Sequence, residues 1–154
     1  MTETALVDNL KTPGQLVRDA GDFHVLVAPT GATAQGAAGA DLTATGDSGW
    51  DDVGFIHDST IHAELGTCTG TTTTLDIVVE QAQDSSGTNA EVIGTFTQAT
   101  DASDDTEAKL KTCVNLRYVR VSYTISGSTP VFPLTVTLRL PEDHYDTNYS
   151  GTFA

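Results

Sequence analysis

The sequence predicts an all-β protein: a single antiparallel β-sandwich, jelly-roll-like, of about seven to nine strands, with extended arms at both ends. Three observations predict it. Apolar and polar residues alternate with period two in many short segments. Gly, Ser, Asp and Pro clusters separate those segments at roughly ten-residue spacing. No segment carries a sustained helical pattern. At 154 residues the chain is one domain by size, long enough to bury a core without staples.

Residues 1–22 read as an N-terminal arm, with Ala5, Leu6, Val7 and Leu10 ahead of the Pro13-Gly14 break. The sandwich domain spans 23–140. Phe23–Val27 is its first strand. Residues 28–49 are rich in Gly, Ala, Thr and Asp and have little to bury, so they read as a long loop. Trp50 and Phe55 restore apolar content around Asp51-Asp52. Thr60–Gly66 places Ile61, Ala63 and Leu65 against His62 and Glu64. Thr74–Gln81 places Leu75, Ile77 and Val79 inward, with Asp76, Val78 and Glu80 outward. Asp84–Asn89 is a turn, and Val92–Gln98 and Glu107–Val114 are further strands.

The densest alternation is Arg117–Leu140. Val119, Val121, Tyr123 and Ile125 share one face of its first limb. Leu134, Val136, Leu138 and Leu140 share a face of the second, opposite Thr135, Thr137 and Arg139. Ser126-Gly127-Ser128-Thr129-Pro130 between them is turn chemistry, so the stretch reads as a β-hairpin with a loop of about five residues. Residues 141–154, dotted with Tyr145, Tyr149 and Phe153, read as an extended C-terminal arm.

Charge narrows the function. Twenty-one acids against 7 bases give a formal net charge of −14. That argues against nucleic-acid backbones and anionic membranes, both of which call for clustered Lys and Arg. No apolar run is long enough to span a bilayer, and the first residues carry neither a basic leader nor an apolar core. Cys68 and Cys113 are expected as two reduced thiols. A disulfide between them stays open if their strands are neighbours.

The residues of catalysis and metal binding are present without their patterns. His24, His57, His62 and His144 do not fall at zinc spacing. The acidic run Asp101–Glu107 lacks an EF-hand pattern and reads as a solvated turn. No nucleophile elbow occurs, and neither cysteine has an evident His partner. We therefore expect no catalytic residue, no metal and no cofactor. Trp50 next to Asp51-Asp52 raises a carbohydrate-stacking alternative, beside the plainer reading of Trp50 as an anchor that closes one end of the core. Arg117–Leu140 holds three of the seven bases and no acid. If its limbs pair, Arg120 and Arg139 would form a basic spot for an acidic partner, or else neutralise the protein's own acids.

From Thr74 to Leu140 the order of motifs is distinctive. Leu75-Asp76-Ile77 opens a strand, Gly94-Thr95-Phe96-Thr97-Gln98 forms another, and Arg117, Tyr118, Val119, Arg120, Val121, Gly127, Ser128, Pro130, Phe132 and Val136 mark the last stretch. This resembles small β-sandwich structural proteins of tailed bacteriophages and related archaeal viruses. It departs from their pattern after Asp84-Ser85-Ser86-Gly87, where a tryptophan is missing. The resemblance implies a virion protein, most of all a capsid decoration (cement or minor head) protein. Its partners would be the major capsid protein and further copies of itself, a homotrimer by analogy. It would be made in the host cytoplasm and lie on the capsid surface. A head–tail connector or tail-tip protein is the alternative within the class. Arg117, Arg120, Arg139, Trp50, Tyr145 and Tyr149 are the candidate partner-binding residues.

Overall fold

The longest alternation in the chain forms one strand, not two. In the computed structural model, which describes residues 24–27, 40–54, 58–139 and 151–153, Tyr118–Arg139 runs without a turn for 22 residues. The expected hairpin is therefore corrected. The cause lies beside it, in a second long strand, Thr69–Ala82. Ser126 pairs with Thr74, Ser128 with Thr71 and Val131 with Thr69, so the supposed loop stays inside a ladder. The turn chemistry acts as corner chemistry instead. Register shifts fall between Ser126 and Ser128 and between Ser128 and Val131. Gly127 takes φ +104° and Thr129 +50°, opposite Gly70 at +133° and Thr72 at +52°. Pro130, which has no N–H to give, sits within the second shift, where a ladder tolerates it.

The strands in chain order are β1 (His24–Val27), β2 (Ala40–Leu42), β3 (Gly46–Asp47), β4 (Asp51–Asp52), β5 (Asp58–Leu65), β6 (Thr69–Ala82), β7 (Glu91–Thr95), β8 (Ala99–Thr100), β9 (Glu107–Cys113) and β10 (Tyr118–Arg139). No helix occurs among the described residues, and every pairing is antiparallel. The all-β antiparallel sandwich expected from the sequence is what the chain forms. Part of the expected 28–49 loop is itself strand, since β2 and β3 lie within it. Residues 28–39 of that loop, the N-terminal arm and residues 141–150, including Tyr145 and Tyr149, lie outside the described residues.

β10 is the spine of both halves of the sandwich. Its first part, to Val131, pairs with β6 on one side and with β3 and β4 on the other. Its second part pairs with β5 and with β1 and β2. β7 and β8 flank β6, and β9 flanks β5. One sheet thus folds over at the corner around Gly127 and faces itself. Leu75, Ile77, Val79, Val119 and Val121 from one half meet Ile61, Ala63, Leu134, Val136 and Leu138 from the other, all fully buried, with Phe132 at the corner. Each of the Val, Leu and Ile side chains contributes roughly 1.5–3 kcal/mol on burial.

The second half departs from simple alternation. Thr60 faces Arg139, His62 faces Thr137 and Glu64 faces Thr135 across β5 and β10. Thr60, His62, Thr135 and Thr137 are buried, so the row expected to point to solvent is under cover. β-branched threonine suits such a sheet face.

The outer strands of the two halves meet along a seam. Thr112 Oγ1 in β9 donates to the Ile93 carbonyl in β7 at 2.7 Å. A Cβ on Gly94 would lie 2.1 Å from Leu110 Cδ2, so only a glycine there lets β9 approach without displacing Leu110. Residues 151–153, part of the expected C-terminal arm, lie in the same seam. The Gly151 amide donates to the Lys109 carbonyl and its own carbonyl accepts from the Thr97 amide, each at 2.8 Å.

Candidate functional site

The candidate site gathers on the outer face of the first half, where β10, β6 and the short strands β3 and β4 lie side by side. Alternation along β6 turns Glu80 outward, and the register places it opposite Arg120. Arg120 Nε donates to Glu80 Oε2 at 2.8 Å, and Ser122 Oγ donates to the same oxygen at 2.6 Å. The Arg120 guanidinium carbon lies 4.5 Å from the centroid of the Trp50 ring, and Asp47 Oδ2 stands 3.9 Å from its Nη1. Trp50 reaches this position between β3 and β4, and Gly87 of the Asp84–Asn89 turn backs it. A Cβ on Gly87 would come within 2.8 Å of the indole Nε1, and its φ of +81° also favours glycine.

Arg117 and Asp52 form the second pair. Arg117 Nε lies 2.9 Å from both carboxylate oxygens and Nη2 lies 2.6 Å from Oδ2. This fork is exposed on both sides, so it orients more than it stabilises. Arg139 lies in the other half, its Nη2 3.4 Å from Glu64 Oε1, its Nε donating to Thr137 Oγ1 at 3.2 Å. The basic spot expected from Arg120 and Arg139 does not form. It required a hairpin, and the two residues sit on one continuous strand, 19 positions apart.

Electrostatics agree with the geometry. The hydrogen bond from Arg120 holds the Glu80 carboxyl below its usual 4.5, against the opposing effect of burial and with help from Ser122. Hydrogen bonding to Glu80 raises Arg120 in turn, and hydrogen bonding to Asp52 raises Arg117. All three arginines are thus matched to the protein's own carboxylates. Arg120 also covers one face of the Trp50 ring, the surface on which a sugar ring would stack.

Of the residues singled out from sequence, the structure brings Trp50 and Arg120 together, with Arg117 nearby on Asp52. It places Arg139 elsewhere, and Tyr145 and Tyr149 lie outside the described residues. Sequence reasoning missed Glu80, Asp47, Asp52 and Glu64 as partners. The signal for Glu80 existed: outward positions on two paired strands face each other, and opposite charges there attract. It also missed Gln81, a buried side chain whose Oε1 accepts from the Asn115 amide at 2.7 Å and the Leu116 amide at 3.1 Å. Its Nε2 donates to Glu91, so one amide side chain ties the approach to β10 onto β6.

Both cysteines are free thiols, Cys68 buried and Cys113 exposed. Among the described residues, no group of three or more His, Cys, Asp or Glu is arranged to hold a metal ion. Fold and site together define an antiparallel β-sandwich with an arginine–tryptophan–carboxylate lock on one face. No family model, no curated protein and no solved structure matches the chain.

Proposed function

We propose that the chain is a structural virion protein of a tailed virus, acting as a capsid decoration protein on the major capsid lattice. The observation that carries this reading is the ordered set of motifs over residues 74–140. Its residues coincide with the parts that build the body: Leu75, Ile77, Phe96, Val119, Val121, Phe132 and Val136 in the core, Gly127 and Pro130 at the corner, Arg117 and Arg120 in ion pairs. A rigid two-layer body suits a protein whose task is to occupy a lattice position, with no reaction to perform and no cofactor to hold. Partners would be the major capsid protein and further copies of the chain. Quantitative mass spectrometry of purified particles tests the reading. Hundreds of copies per particle are expected. About six to twelve copies, the number of a closed ring, would move the assignment to a head–tail connector or tail tip, and absence from particles would remove it.

The carbohydrate reading has less support, because Arg120 occupies a face of Trp50. Binding on a glycan array that Trp50→Ala abolishes would restore it.

A further inference from the structure

The outer rows of the two halves differ in burial. In the first half, Arg120, Ser122 and Thr124 of β10 and Asp76, Val78 and Glu80 of β6 are half-buried or exposed, as the outside of a two-layer sandwich should be. In the second half, Thr60 and His62 of β5 and Thr135 and Thr137 of β10 are each 2% exposed or less. The ladder puts these four side chains on one face, and Ile61, Ala63, Leu134, Val136 and Leu138 fill the core on the other. A sheet buried on both faces carries a third layer. All ten described strands belong to the sheet itself. The described loops are engaged elsewhere: Gly87 backs Trp50, and Asp105 and Thr106 bond to Gly66 and Leu65 at the end of β5.

The chemistry of the face selects its cover. Thr60 Oγ1 is buried with no hydrogen-bond partner, so what lies over it presents apolar atoms rather than acceptors. Residues 140–150, with Glu142, Asp143 and Asp146 among hydroxyls and amides, are rich in acceptors. Residues 28–39 carry no branched aliphatic side chain. Residues 55–57 are held at both ends by described residues and are too few to cross from Thr60 to Thr135. The N-terminal arm carries Ala5, Leu6, Val7, Leu10, Leu16 and Val17. It also arrives at the right place. β1 runs antiparallel to β10 with His24 opposite Leu138, so the chain ahead of β1 comes in beside Arg139, at the end of the row. Lys109 opposite His62 and Lys111 opposite Thr60 extend the face onto β9. With Arg139 they outnumber Glu64 and Glu107, while the arm's Glu3, Asp8, Asp19 and Asp22 outnumber Lys11 and Arg18, so the charges are complementary.

We propose that the outer face of the second half is the docking site of the chain's own N-terminal arm, residues 1–22. Its aliphatic side chains lie over Thr60, His62, Thr135 and Thr137, and its carboxylates face Lys109 and Lys111. This docking is independent of the virion reading, since it concerns the free protein and not its place in a particle.

His62 reports on the cover, because diethyl pyrocarbonate modifies only an imidazole that it can reach. The full-length variant Leu6→Asp/Leu10→Asp/Leu16→Asp is compared with the unmodified chain, with Trp50 emission as the check that the body is folded. Peptide mass mapping should find His62 modified about tenfold faster in the variant, as expected when a locally docked segment opens. An unchanged rate in a folded variant would assign the cover to residues 28–39 or 140–150 and overturn the proposal. Hydroxyl-radical footprinting of the unmodified chain gives a second measurement. Leu6, Leu10 and Leu16 should be labelled several-fold more slowly in the native protein than in urea. Labelling at the unfolded rate overturns the docking whether or not the variant folds.

Discussion

Arg120 lies over the Trp50 ring at 4.5 Å while its Nε is bound to Glu80. One side chain therefore ties the segment between β3 and β4 to the centre of the sheet. Arg120→Met keeps most of the stem and removes both interactions. A charge-assisted hydrogen bond and a partly desolvated cation–π contact together predict a loss of about 2 kcal/mol. Chemical denaturation followed by the fluorescence of the only tryptophan measures it, and native emission should shift as well. A double-mutant cycle with Glu80→Gln should return a coupling of about 1 kcal/mol. Coupling near zero would mean that the pair is an incidental surface contact.

The same pair gives stability an acid limb. The folded Glu80 carboxyl titrates below its ordinary 4.5. The unfolded chain therefore takes up the proton first as pH falls. The stabilisation is fully present above pH 4.5 and is lost as pH drops from there through the lowered folded value. Denaturation midpoints at pH 7, 4.5 and 3 should fall less steeply in Arg120→Met than in the parent chain. Parallel curves would place the acid sensitivity in other carboxylates.

Much of this body was legible in the sequence, and the losses have a common physical origin. Alternation reports which face a side chain takes, so Leu75, Ile77, Val79, Val119 and Val121 were all placed in the core correctly. Alternation does not report where a strand stops. Ser126–Pro130 has the composition of a turn, and only the ladder with Thr69–Thr74 keeps it extended. The candidate site suffered from that error: the joint basic spot of Arg120 and Arg139 depended on the hairpin. The polar partners were hidden for another reason. Asp47 and Asp52 come from a Gly- and Asp-rich stretch with no periodicity, and their proximity to Arg120 and Arg117 exists only once β3 and β4 line β10. Gln81 looked like the polar end of a strand, yet it is buried and satisfied by backbone amides from 34 and 35 residues away.

Cys68 and Cys113 should separate cleanly in reactivity. Cys113 is exposed, while Cys68 is buried beside an acidic loop, with its own amide donating to Asp104 at 2.7 Å. Burial first, then Asp104, Asp105 and Asp101, raises the Cys68 thiol to about 11 from an ordinary 9.0. Ellman's reagent should modify one thiol quickly in the native protein and the second only on unfolding. The raised value also gives an alkaline limb. The folded state keeps a proton that the unfolded chain releases, so this stabilisation is complete below pH 9.0 and declines as pH rises toward 11. Cys68→Ala should flatten that decline, and an unchanged alkaline limb would assign it to other groups.

The corner of β10 offers the sharpest contrast between a hairpin and a continuous strand. Inserting Gly-Ser between Gly127 and Ser128 would lengthen a surface loop at a cost below about 1 kcal/mol. In a continuous β10 the same insertion pushes Ser128 and Val131 out of register with Thr71 and Thr69. It also displaces Phe132, which is fully buried at the junction of the two halves. Gly127→Ala acts at the same place with no change in length. Its Cβ would lie 2.6 Å from the Thr73 Cα and 2.7 Å from the Thr72 carbonyl oxygen, at φ +104°. Neither backbone atom can step aside as a side chain would, so the replacement should cost about 2–4 kcal/mol. Thr129→Gly, at φ +50°, should be neutral or stabilising, because glycine relieves a positive-φ conformation that a β-branched residue adopts at a cost. Thermal or urea denaturation of the three variants settles the matter. Near-parent stability for both the insertion and Gly127→Ala would mean that residues 126–130 leave the ladder and turn.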